Sequence, residues 1–523
     1  MAIQFINSQK AAELIPDNAV IALDGLLGAD SPEEILEYLR ARYKKEGHPK
    51  GLDVWHASGI GDSKHRGTNN FAEKGFLHRL VGGHYALAPE LAPLSEANDF
   101  EAFNFPQGVL SQIFRDSAAH KPVLITNVGL GTFVDPKISG GRLNDAAKKA
   151  TLVNRINIHG KDYLAYEVPK PNIALLRGTY ADEDGNITFD DEPLTLVATA
   201  VAMAAHNNGG KVFVQVKRVV KSGSMNPKDI RIPGVSVDYV VETENKDMTR
   251  QTTDTIYNPD FVNSAVVKEA DEINVPLDSK KVIARRATCI LDQRTDHVVN
   301  FGIGKYPETC SLVLKEEGLL DNIVTTVEGG SFGGTPLVGG DFGAAIAPQA
   351  IIDEPYMFDF YDGGGIDLTF LGLAEADRKG NLNVSKFGPK VAGTGGFVDI
   401  TQNTPKIVFT GTFTAAGLKE EVKDGKLHII KEGKVKKFVK DVQQVTFSGE
   451  VAYENNQKVW YVTERAVFEL VKDGLKLIEI APGIDLQKDI LDQMEFKPII
   501  SDNLKEMDPR IFQEPIMNIK NNS

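Results

Sequence analysis

Apolar runs of strand length alternate with helix-length stretches through the first half of the chain. "KPVLITNVG" (121–129) and "NIALLRG" (172–178) are short apolar runs that end in glycine. "LTLVATAVAMAAHNNGG" (194–210) has the length of a helix that closes on two glycines, and the alternating "KVFVQVKRVVK" (211–221) follows it. Strand, helix and strand of these lengths indicate a mainly parallel sheet with helices on both faces. Ligands in such sheets bind at the carboxyl ends of the strands.

The stretch "SPEEILEYLRARYKKEG" (31–47) has the signals of a helix start. Ser31 is expected to cap this helix, Pro32 to take the first helical position, and Glu34 to complete a capping box. With the strands above, this predicts an N-terminal α/β domain over residues 1–245.

The alternation stops in the polar stretch "ETENKDMTRQTTDTIYNPDF" (242–261), so residues 246–280 are the predicted linker. A new α/β pattern begins at "KKVIARRATCILDQRTDHVVNFGIG", which predicts a C-terminal domain over residues 281–523. Near its end, "KDGKLHIIKEGKVKKFV" and "RAVFELVKDGLKLIEI" each place Asp-Gly between alternating residues. These segments predict β-hairpin additions near the C-terminus.

The two halves repeat short motifs. The segments 174–187 and 369–382 share Asp-x-x-Gly-Asn, and the segments 129–135 and 393–399 share G-x-G-x-F-V-D. The order of the two motifs is reversed between the halves, so a simple tandem duplication does not explain them. We therefore predict two related open α/β domains.

Composition limits the classes of partner. The 523 residues have a formal net charge of −14, whereas binding to nucleic acid needs a basic surface. The two cysteines, Cys289 and Cys310, form neither a disulfide framework nor a C-x-x-C site. The first residues lack a signal-peptide pattern, and the longest apolar run is well short of the roughly 20 residues of a membrane span. We expect a cytoplasmic protein with no membrane or nucleic-acid partner and no metal.

The glycine loops do not match the known nucleotide-binding motifs. The G-x-G-x-x-G fingerprint is incomplete at three candidate loops, where its last position is Val134, Pro307 or Val398. No G-x-x-x-x-G-K-[ST] occurs. These absences argue against a nicotinamide or nucleoside-triphosphate enzyme.

A serine nucleophile is a second possibility, because Gly329 to Gly333 satisfy G-x-S-x-G around Ser331. The elbow needs a helix after the serine, but "GGTPLVGGDFG" is a poor helix former. It also needs a downstream histidine, and His428 lies in a lysine-rich segment that is predicted to be exposed. A serine hydrolase is therefore the less favoured alternative.

Glu328 is the candidate nucleophile at the head of seven glycines between Gly329 and Gly343. A glutamate that is ionised at neutral pH needs no base to attack an activated acyl group such as a thioester. Attack builds charge on the carbonyl oxygen, and the N–H groups of a glycine-rich backbone are suited to receive that charge.

Several separate segments resemble the family I coenzyme A transferases. In the second half they are "VVNFGIGKYPE", "TTVEGGSFGG", "DLTFLGLAEADRKGNLNVSKFG" and "AGTGGFVDITQNTPKIVFTGTFTAAG". In the first half "DGLLGADSPEEIL", "GGHYALAPEL", "FNFPQGVLSQIFRD" and "GLGTFVDPKISGGRLN" follow in the expected order. The resemblance covers roughly residues 5 to 512 and is closest to bacterial short-chain acyl-CoA transferases.

The resemblance implies site residues. The glutamate of the family's E-x-G segment falls on Glu328, although the usual E-N-G or E-S-G stands here as Glu-Gly-Gly. It also implies residues that contact the substrate, CoA or the oxyanion. Two glycine loops of the family supply some of them, the G-x-G-G loop and the loop after the first strand of the second domain. In this chain they are Gly302, Gly304, Gly393, Gly395, Gly396 and Gln107, the last within the N-x-P-Q-G segment. Candidate cations for the CoA phosphates are Lys386, Lys390, Lys406 and Lys419.

The resemblance also implies the reaction. CoA moves reversibly from a short-chain acyl-CoA to a free acid such as acetate, propionate, butyrate or acetoacetate, by a ping-pong mechanism through a glutamyl-CoA thioester. CoA is a substrate, no cofactor is needed, and relatives of this kind form dimers or tetramers. An acyl-CoA hydrolase that uses the same glutamate is the near alternative. A ligand-sensing domain without catalysis is a third hypothesis.

Overall fold

The computed structural model describes residues 3–243, 245–264 and 275–519, which form two compact units. Unit 1 comprises Met1–Val266, Glu328–Asp359 and Phe387–Asp399, and unit 2 comprises Val267–Val327, Phe360–Lys386 and Ile400–Ser523. Two segments of the second half therefore belong to unit 1, whereas the division into 1–245 and 281–523 assumed contiguous domains and stays a prediction. Of the predicted linker 246–280, residues 265–274 lie outside the described residues.

The main sheet of unit 1 contains eight parallel strands in one continuous ladder. Their spatial order is Gln4–Ile6, Tyr239–Glu242, Lys211–Val220, Ile173–Asp182, Val20–Leu23, Leu52–His56, Leu77–Gly82 and Glu101–Asn104. Successive strands are added towards one edge of the sheet after Val20–Leu23 and towards the other edge after Ile173–Asp182. The strand order therefore reverses between these two central strands. In an open parallel sheet, this reversal point is where ligands bind.

Apolar cores cover both faces of this sheet, because neighbouring residues of a strand point to opposite faces. Ala22 contributes to one core, whereas Ile21 and Leu23 contribute to the other. The helices Gln107–Ala118 and Ala198–Asn207 pack on the first face. The helices Ser8–Leu14 and Glu33–Glu46 pack on the second face. The predicted arrangement of helices on both faces of a parallel sheet is confirmed.

The predicted capping box at Ser31 is wrong. The helix begins at Glu33, and Pro32, which takes the cap position, makes no side-chain hydrogen bond to it. Ser31 Oγ instead donates to Glu33 Oε2 at 3.3 Å. The Glu34 backbone N–H donates to Gln215 Oε1 at 3.0 Å. A tertiary contact thus satisfies a first-turn donor that the sequence pattern assigned to a local motif.

The main sheet of unit 2 is parallel at one end and antiparallel at the other. Its five parallel strands, in spatial order, are Val324–Val327, Val298–Phe301, Leu368–Gly372, Lys406–Thr410 and Lys458–Val462. Ala466–Val471 and Gly474–Ile480 follow as an antiparallel hairpin, and Ile499–Glu506 pairs parallel with the last of these. Lys419–Lys423 and Lys426–Lys431 form a separate hairpin. Both predicted hairpins are present.

The repeated Asp-x-x-Gly-Asn motif has the same local structure in both units. Asp182 accepts hydrogen bonds from the backbone N–H and side-chain amide of Asn186, and Asp377 accepts the same pair from Asn381. The asparagine oxygens accept in turn from Gly234 N and Gly449 N, at 2.9 and 3.0 Å. Two equivalent side-chain turns with equivalent tertiary contacts support the prediction of two related α/β halves.

The remaining elements are short. Val123–Thr126, Val153–Ile158 and Lys161–Glu167 form a small antiparallel sheet, so the predicted strand at 121–129 lies outside the parallel sheet. The other helices are Ala92–Glu96, Ser279–Thr288, Lys305–Glu316, Glu354–Asp362, Phe397–Asn403 and Gly449–Glu454. The other strands are Ile187–Thr188, Ile230–Ile232, Ser331–Phe332, Thr335–Pro336, Ala345–Ile346, Ala350–Ile351, Glu375–Asp377, Leu382–Asn383, Lys386–Phe387, Lys390–Val391, Thr414–Ala415, Val435–Lys436 and Phe438–Val439. Among the described residues, no helix is both long enough and apolar enough to cross a membrane.

Candidate active site

Polar residues of unit 1 collect where its parallel strands end. The residues that follow four neighbouring strands by one to three positions are Asp24, Ser58, Gly83 and Gln107. The carboxyl ends of parallel strands meet at one edge of a sheet, so these residues share that edge. This edge is where an open α/β sheet binds its ligand.

The loop Glu328-Gly329-Gly330 lies at the reversal point of this sheet. A Cβ atom on Gly329 would lie 2.9 Å from Leu194 Cδ1 and 3.2 Å from Leu26 Cδ2. Gly330 has a φ of +120°, and a Cβ atom there would lie 2.0 Å from the Ile352 carbonyl oxygen. The side chain of Leu194 can move aside, whereas the Ile352 backbone cannot. Glycine is therefore required at 330 and preferred at 329.

Glu328 is buried, with 8% of its surface exposed. Burial raises the pKa of its carboxyl group to about 7, and a hydrogen bond from its own backbone N–H acts in the opposite direction. Within the described part of the chain, Glu328 Oε2 has no hydrogen-bond partner. Burial therefore favours the protonated form more than the sequence-based expectation of a glutamate ionised at neutral pH assumed. When it is ionised, a buried carboxylate with few hydrogen bonds is a stronger nucleophile than an exposed one.

Gln107 is in direct contact with the predicted glycine loop. Its backbone N–H donates to Gly395 O at 3.0 Å, and its side-chain Nε2 donates to Glu354 Oε1 at 2.7 Å. Asn104, three residues earlier, donates through Nδ2 to Gly82 O and Gly83 O and accepts from Thr394 N at 3.0 Å. The N-x-P-Q-G segment and the G-x-G-G loop therefore form one hydrogen-bonded assembly.

Glycine is also required within the G-x-G-G loop. Gly393 has a φ of +90°, and a Cβ atom there would lie 2.7 Å from the backbone of His84. Gly395 has a φ of +52°, and its N–H donates to Gly83 O at 2.8 Å. Gly396 directly precedes the helix Phe397–Asn403, so its N–H lies at the end of the loop where a helix begins. This N–H is a candidate donor to a substrate oxygen.

The start of the helix Gln107–Ala118 is held by an acid from the same loop. Gly108 N and Val109 N donate to the two carboxylate oxygens of Asp399, at 3.1 and 3.2 Å. A Cβ atom on Gly108 would lie 2.4 Å from the Phe358 ring and 2.5 Å from Asp399 Oδ1. Only glycine allows this close approach, which accounts for the last residue of the N-x-P-Q-G segment.

Gly302 and Gly304 belong to unit 2 and are described there alone. Both follow the parallel strand Val298–Phe301, and Gly302 N donates to Phe370 O at 2.9 Å. Gly304, with a φ of +124°, precedes the helix Lys305–Glu316. Their position at the end of a parallel strand suits a binding loop. Their contribution to binding stays a prediction.

The lysines predicted for the CoA phosphates differ in their partners. Lys406 Nζ pairs with the buried Asp296 at 2.6 Å and with Thr295 Oγ1 at 3.2 Å, so its charge is already matched within unit 2. Lys390 and Lys419 are exposed and Lys386 is half-buried. These three remain candidates for the phosphates, whereas Lys406 has a structural role.

Ser331 lacks the setting of a serine nucleophile. It lies in the short strand Ser331–Phe332, which pairs with Ala350–Ile351, and no helix follows it directly. Its Oγ is buried without a hydrogen-bond partner among the described residues, so no base holds it. His428 is an exposed residue of a hairpin in unit 2. The serine hydrolase hypothesis has no structural support.

Two buried acids of the site were missed by sequence reasoning. Glu354 and Asp24 are each at most 2% exposed, and burial raises their pKa values to about 8 and about 7. Asp24 Oδ1 accepts from Gly25 N at 2.9 Å. In the sequence, "DEPYMF" reads as an ordinary acidic helix start. The only usable signal was that Asp24 follows an apolar run of strand length.

Comparisons with known proteins agree with this geometry. The family model described as coenzyme A transferase matches residues 5–243. The acetate CoA-transferase YdiF of Escherichia coli K12 is 42% identical over 513 residues, which cover 98% of this chain and 96% of that protein. The caffeate CoA-transferase of Acetobacterium woodii is 44% identical over 517 residues, 98% of each chain. A crystal structure of E. coli O157:H7 YdiF, described as a thioester complex with CoA, has a TM-score of 0.91 at 40% identity, covering 99% of this chain and 97% of that one.

The fold and the site define a class of protein, namely an α/β enzyme with a buried carboxyl group at the reversal point of a parallel sheet. The chain belongs to the coenzyme A transferase family. It is a CoA-transferase, which moves CoA between acyl-CoA and carboxylates.

Proposed function

We propose that this enzyme transfers CoA reversibly between short-chain acids through a thioester on Glu328. The observation that carries the proposal is the buried Glu328 carboxyl group, with one oxygen unpartnered among the described residues, on a loop that requires glycine at position 330. It is supported by the likeness of the chain to a transferase that is described as a thioester complex with CoA.

The chemistry needs only this carboxylate and the substrates. Glu328 attacks the acyl-CoA carbonyl carbon, and the C–S bond breaks to give an acyl-glutamyl anhydride and CoA thiolate. The thiolate then attacks the Glu328 carbonyl carbon and expels the first acid as a carboxylate, which leaves glutamyl-CoA. The incoming carboxylate reverses both steps. No net proton is gained or lost, because each step exchanges one activated acyl bond for another.

The charge that develops on each tetrahedral oxygen needs a donor. Thr394 N and Gly395 N already donate to Asn104 and Gly83, so they are committed to holding the loop. The N–H of Gly396 and the second side-chain hydrogen of Gln107 are two further candidate donors of this assembly. We assign them to the substrate oxygen, where one such donor contributes roughly 10²–10³-fold to the rate.

The acid pair is proposed as short-chain, in the class of acetate, propionate, butyrate and acetoacetate. The name of the E. coli relative contains acetate, whereas that of the Acetobacterium relative contains caffeate. An exchange assay with labelled acetate against a panel of acyl-CoAs, with caffeoyl-CoA included, tests this assignment. Fast exchange with acetyl-, propionyl- and butyryl-CoA is expected, and a strong preference for caffeoyl-CoA would contradict it.

Two variants test the nucleophile. Glu328→Gln should lose transferase turnover by at least ~10⁴-fold, because a neutral amide cannot form the anhydride. Ser331→Ala is the matched control three residues away and should keep turnover within about threefold. Borohydride added after acyl-CoA should inactivate the wild-type enzyme and the S331A variant, since it reduces the glutamyl thioester. A Glu328→Gln enzyme with wild-type turnover would refute the mechanism.

Omission of the acceptor acid separates transfer from hydrolysis. A transferase should release less than one CoA per site on the time scale of many transfers. Steady CoA release without an acceptor would instead support the hydrolase alternative with the same nucleophile.

A further inference from the structure

Unit 1 contains a second fully buried carboxyl group, on which the charge of Glu328 acts. Glu354 is 0% exposed and lies at the first position of the helix Glu354–Asp362. Its Oε1 atom accepts from Gln107 Nε2 at 2.7 Å and from Ser58 Oγ at 3.0 Å. Its Oε2 atom is buried and has no hydrogen-bond partner among the described residues. Glu328 is one of the charges that act on it.

This carboxyl group does not serve its own helix. An acid at a helix start usually accepts from the free N–H groups of the first turn or faces water near them. The hydrogen bonds of Glu354 run instead to Gln107 and Ser58, which follow two separate strands of the sheet. Its own backbone N–H donates to Leu196 O at 2.9 Å, which fixes the start of the helix. The side chain is thus directed at the candidate active site.

Within the described part of the chain, no lysine, arginine or histidine forms a salt bridge with Glu354. Two acids, Asp24 and Glu328, act on it and raise its pKa further. His56 lies next to Ser58 through a 2.6 Å contact between its Nδ1 atom and Ser58 O, and burial lowers its pKa to about 4, as it does for His84. Both histidines are therefore neutral at pH 7. A buried carboxylate without a cation is costly, and the usual solution is to keep the proton.

We propose that Glu354 is a positioning residue that works in its protonated form, holding the Gln107 amide towards the Gly395 loop without adding a negative charge beside Glu328. The inference rests on the proposed function of Glu328. The proton of Glu354 is not consumed, because the transfer reaction neither takes up nor releases a proton.

A second anion would oppose every step of the reaction. The tetrahedral oxygen, the CoA thiolate and the incoming acid are all negatively charged, and the ionised form of Glu354 would repel each of them. Burial raises the pKa of Glu328 to about 7 and that of Glu354 to about 8, with Asp24 and Glu328 adding to the second effect. The like charges of Asp24 and Glu328 thus favour the protonated form of Glu354 when Glu328 is ionised, which is the state the reaction requires.

The test is the pH profile of Glu354→Gln. The glutamine oxygen can still accept from Gln107 and Ser58, and its amide is neutral at every pH. We expect wild-type kcat to fall above about pH 8. The E354Q variant should lose less than tenfold in kcat at pH 7 and show no fall above that pH. Glu354→Ala removes the acceptor for Gln107 and should lower kcat by about 100-fold or more.

A matched control keeps the interpretation specific. Glu33 is another buried glutamate of unit 1 whose pKa is raised by burial, but its carboxylate accepts from Gly67 N and Asn70 Nδ2. Glu33→Gln should keep the wild-type alkaline limb. If E354Q does not fold, a second test uses infrared spectra of the Glu328→Gln variant, prepared with ¹³C-labelled glutamate. In this variant the carboxyl group of Glu354 is observed without that of Glu328. One glutamic acid band should then titrate near pH 8.

Three results would overturn the inference. They are an alkaline limb of E354Q at the wild-type position, a loss in E354Q as large as in E354A, and a wild-type profile that stays flat to about pH 9. The CoA adduct is measured in the same samples, so the two proposals fail separately. An adduct with an unchanged alkaline limb refutes only the role of Glu354, whereas no adduct in the wild-type enzyme refutes the proposed function.

Discussion

Alanine at position 330 should harm this enzyme far more than alanine at position 329. A side chain on Gly330 would adopt a φ of +120° and place its Cβ atom 2.0 Å from the Ile352 carbonyl oxygen. The backbone conformation costs on the order of 1–3 kcal/mol and the overlap adds about as much, so G330A should lose ~2–6 kcal/mol of unfolding free energy. A side chain on Gly329 meets the movable end of Leu194 at 2.9 Å and should cost less than ~1 kcal/mol.

Urea denaturation and steady-state turnover of the two variants test this reasoning. If the loop of G330A shifts to relieve the overlap, Glu328 moves with it, and a displacement of about 1 Å can lower kcat by ~10²-fold. G329A serves as the matched control, with near wild-type stability and turnover. Wild-type stability and kcat in G330A, or equal damage in both variants, would refute the claim that the Gly330 backbone holds the nucleophile.

Three further predictions follow from the surroundings of single side chains. Because Glu328 acts as an anion and burial raises its pKa to about 7, kcat/KM should be half-maximal near pH 7 and fall about tenfold per pH unit below it; a flat profile down to pH 5 would contradict this. Because the pKa of Glu328 rises from a usual 4.5 to about 7 on folding, the wild type loses stability as the pH rises from 4.5 through 7. The unfolding free energy of E328Q should therefore exceed that of the wild type by about 3 kcal/mol at pH 8 and by almost nothing at pH 4.5. Lys406→Met should cost about 1–3 kcal/mol of stability, because it leaves the buried Asp296 without its cation, and should not change the KM for acyl-CoA; a raised KM would restore Lys406 as a phosphate ligand.

The sequence predicted the framework because its signals are local. The run 211–221 became the strand Lys211–Val220, parallel to Ile173–Asp182, and both Asp-Gly turns formed hairpins. The repeated Asp-x-x-Gly-Asn turn was also visible, since its hydrogen bonds lie within five residues. The capping box failed because Gln215, far along the chain, supplies the acceptor for the start of that helix.

The site residues could be predicted only where the residue type itself is informative, as at the glycines and at the nucleophile. Gly330 and Gly393 have backbone conformations that favour glycine, so they leave a trace in the sequence. Glu354 does not, because its role depends on burial and on contacts with Gln107 and Ser58 that are hundreds of residues away. The raised pKa of Glu328 was equally hidden, since desolvation arises only after the sheet has folded.

Mass spectrometry of the peptide that contains Glu328 tests the central claim most directly. The enzyme is mixed with acetyl-CoA in the absence of an acceptor acid, digested at low pH and compared with an E328Q sample. The account predicts a mass increase equal to CoA minus water on that peptide in the wild-type enzyme, which disappears on addition of acetate. No such increase, together with kinetics that require both substrates to be bound at once, would contradict it.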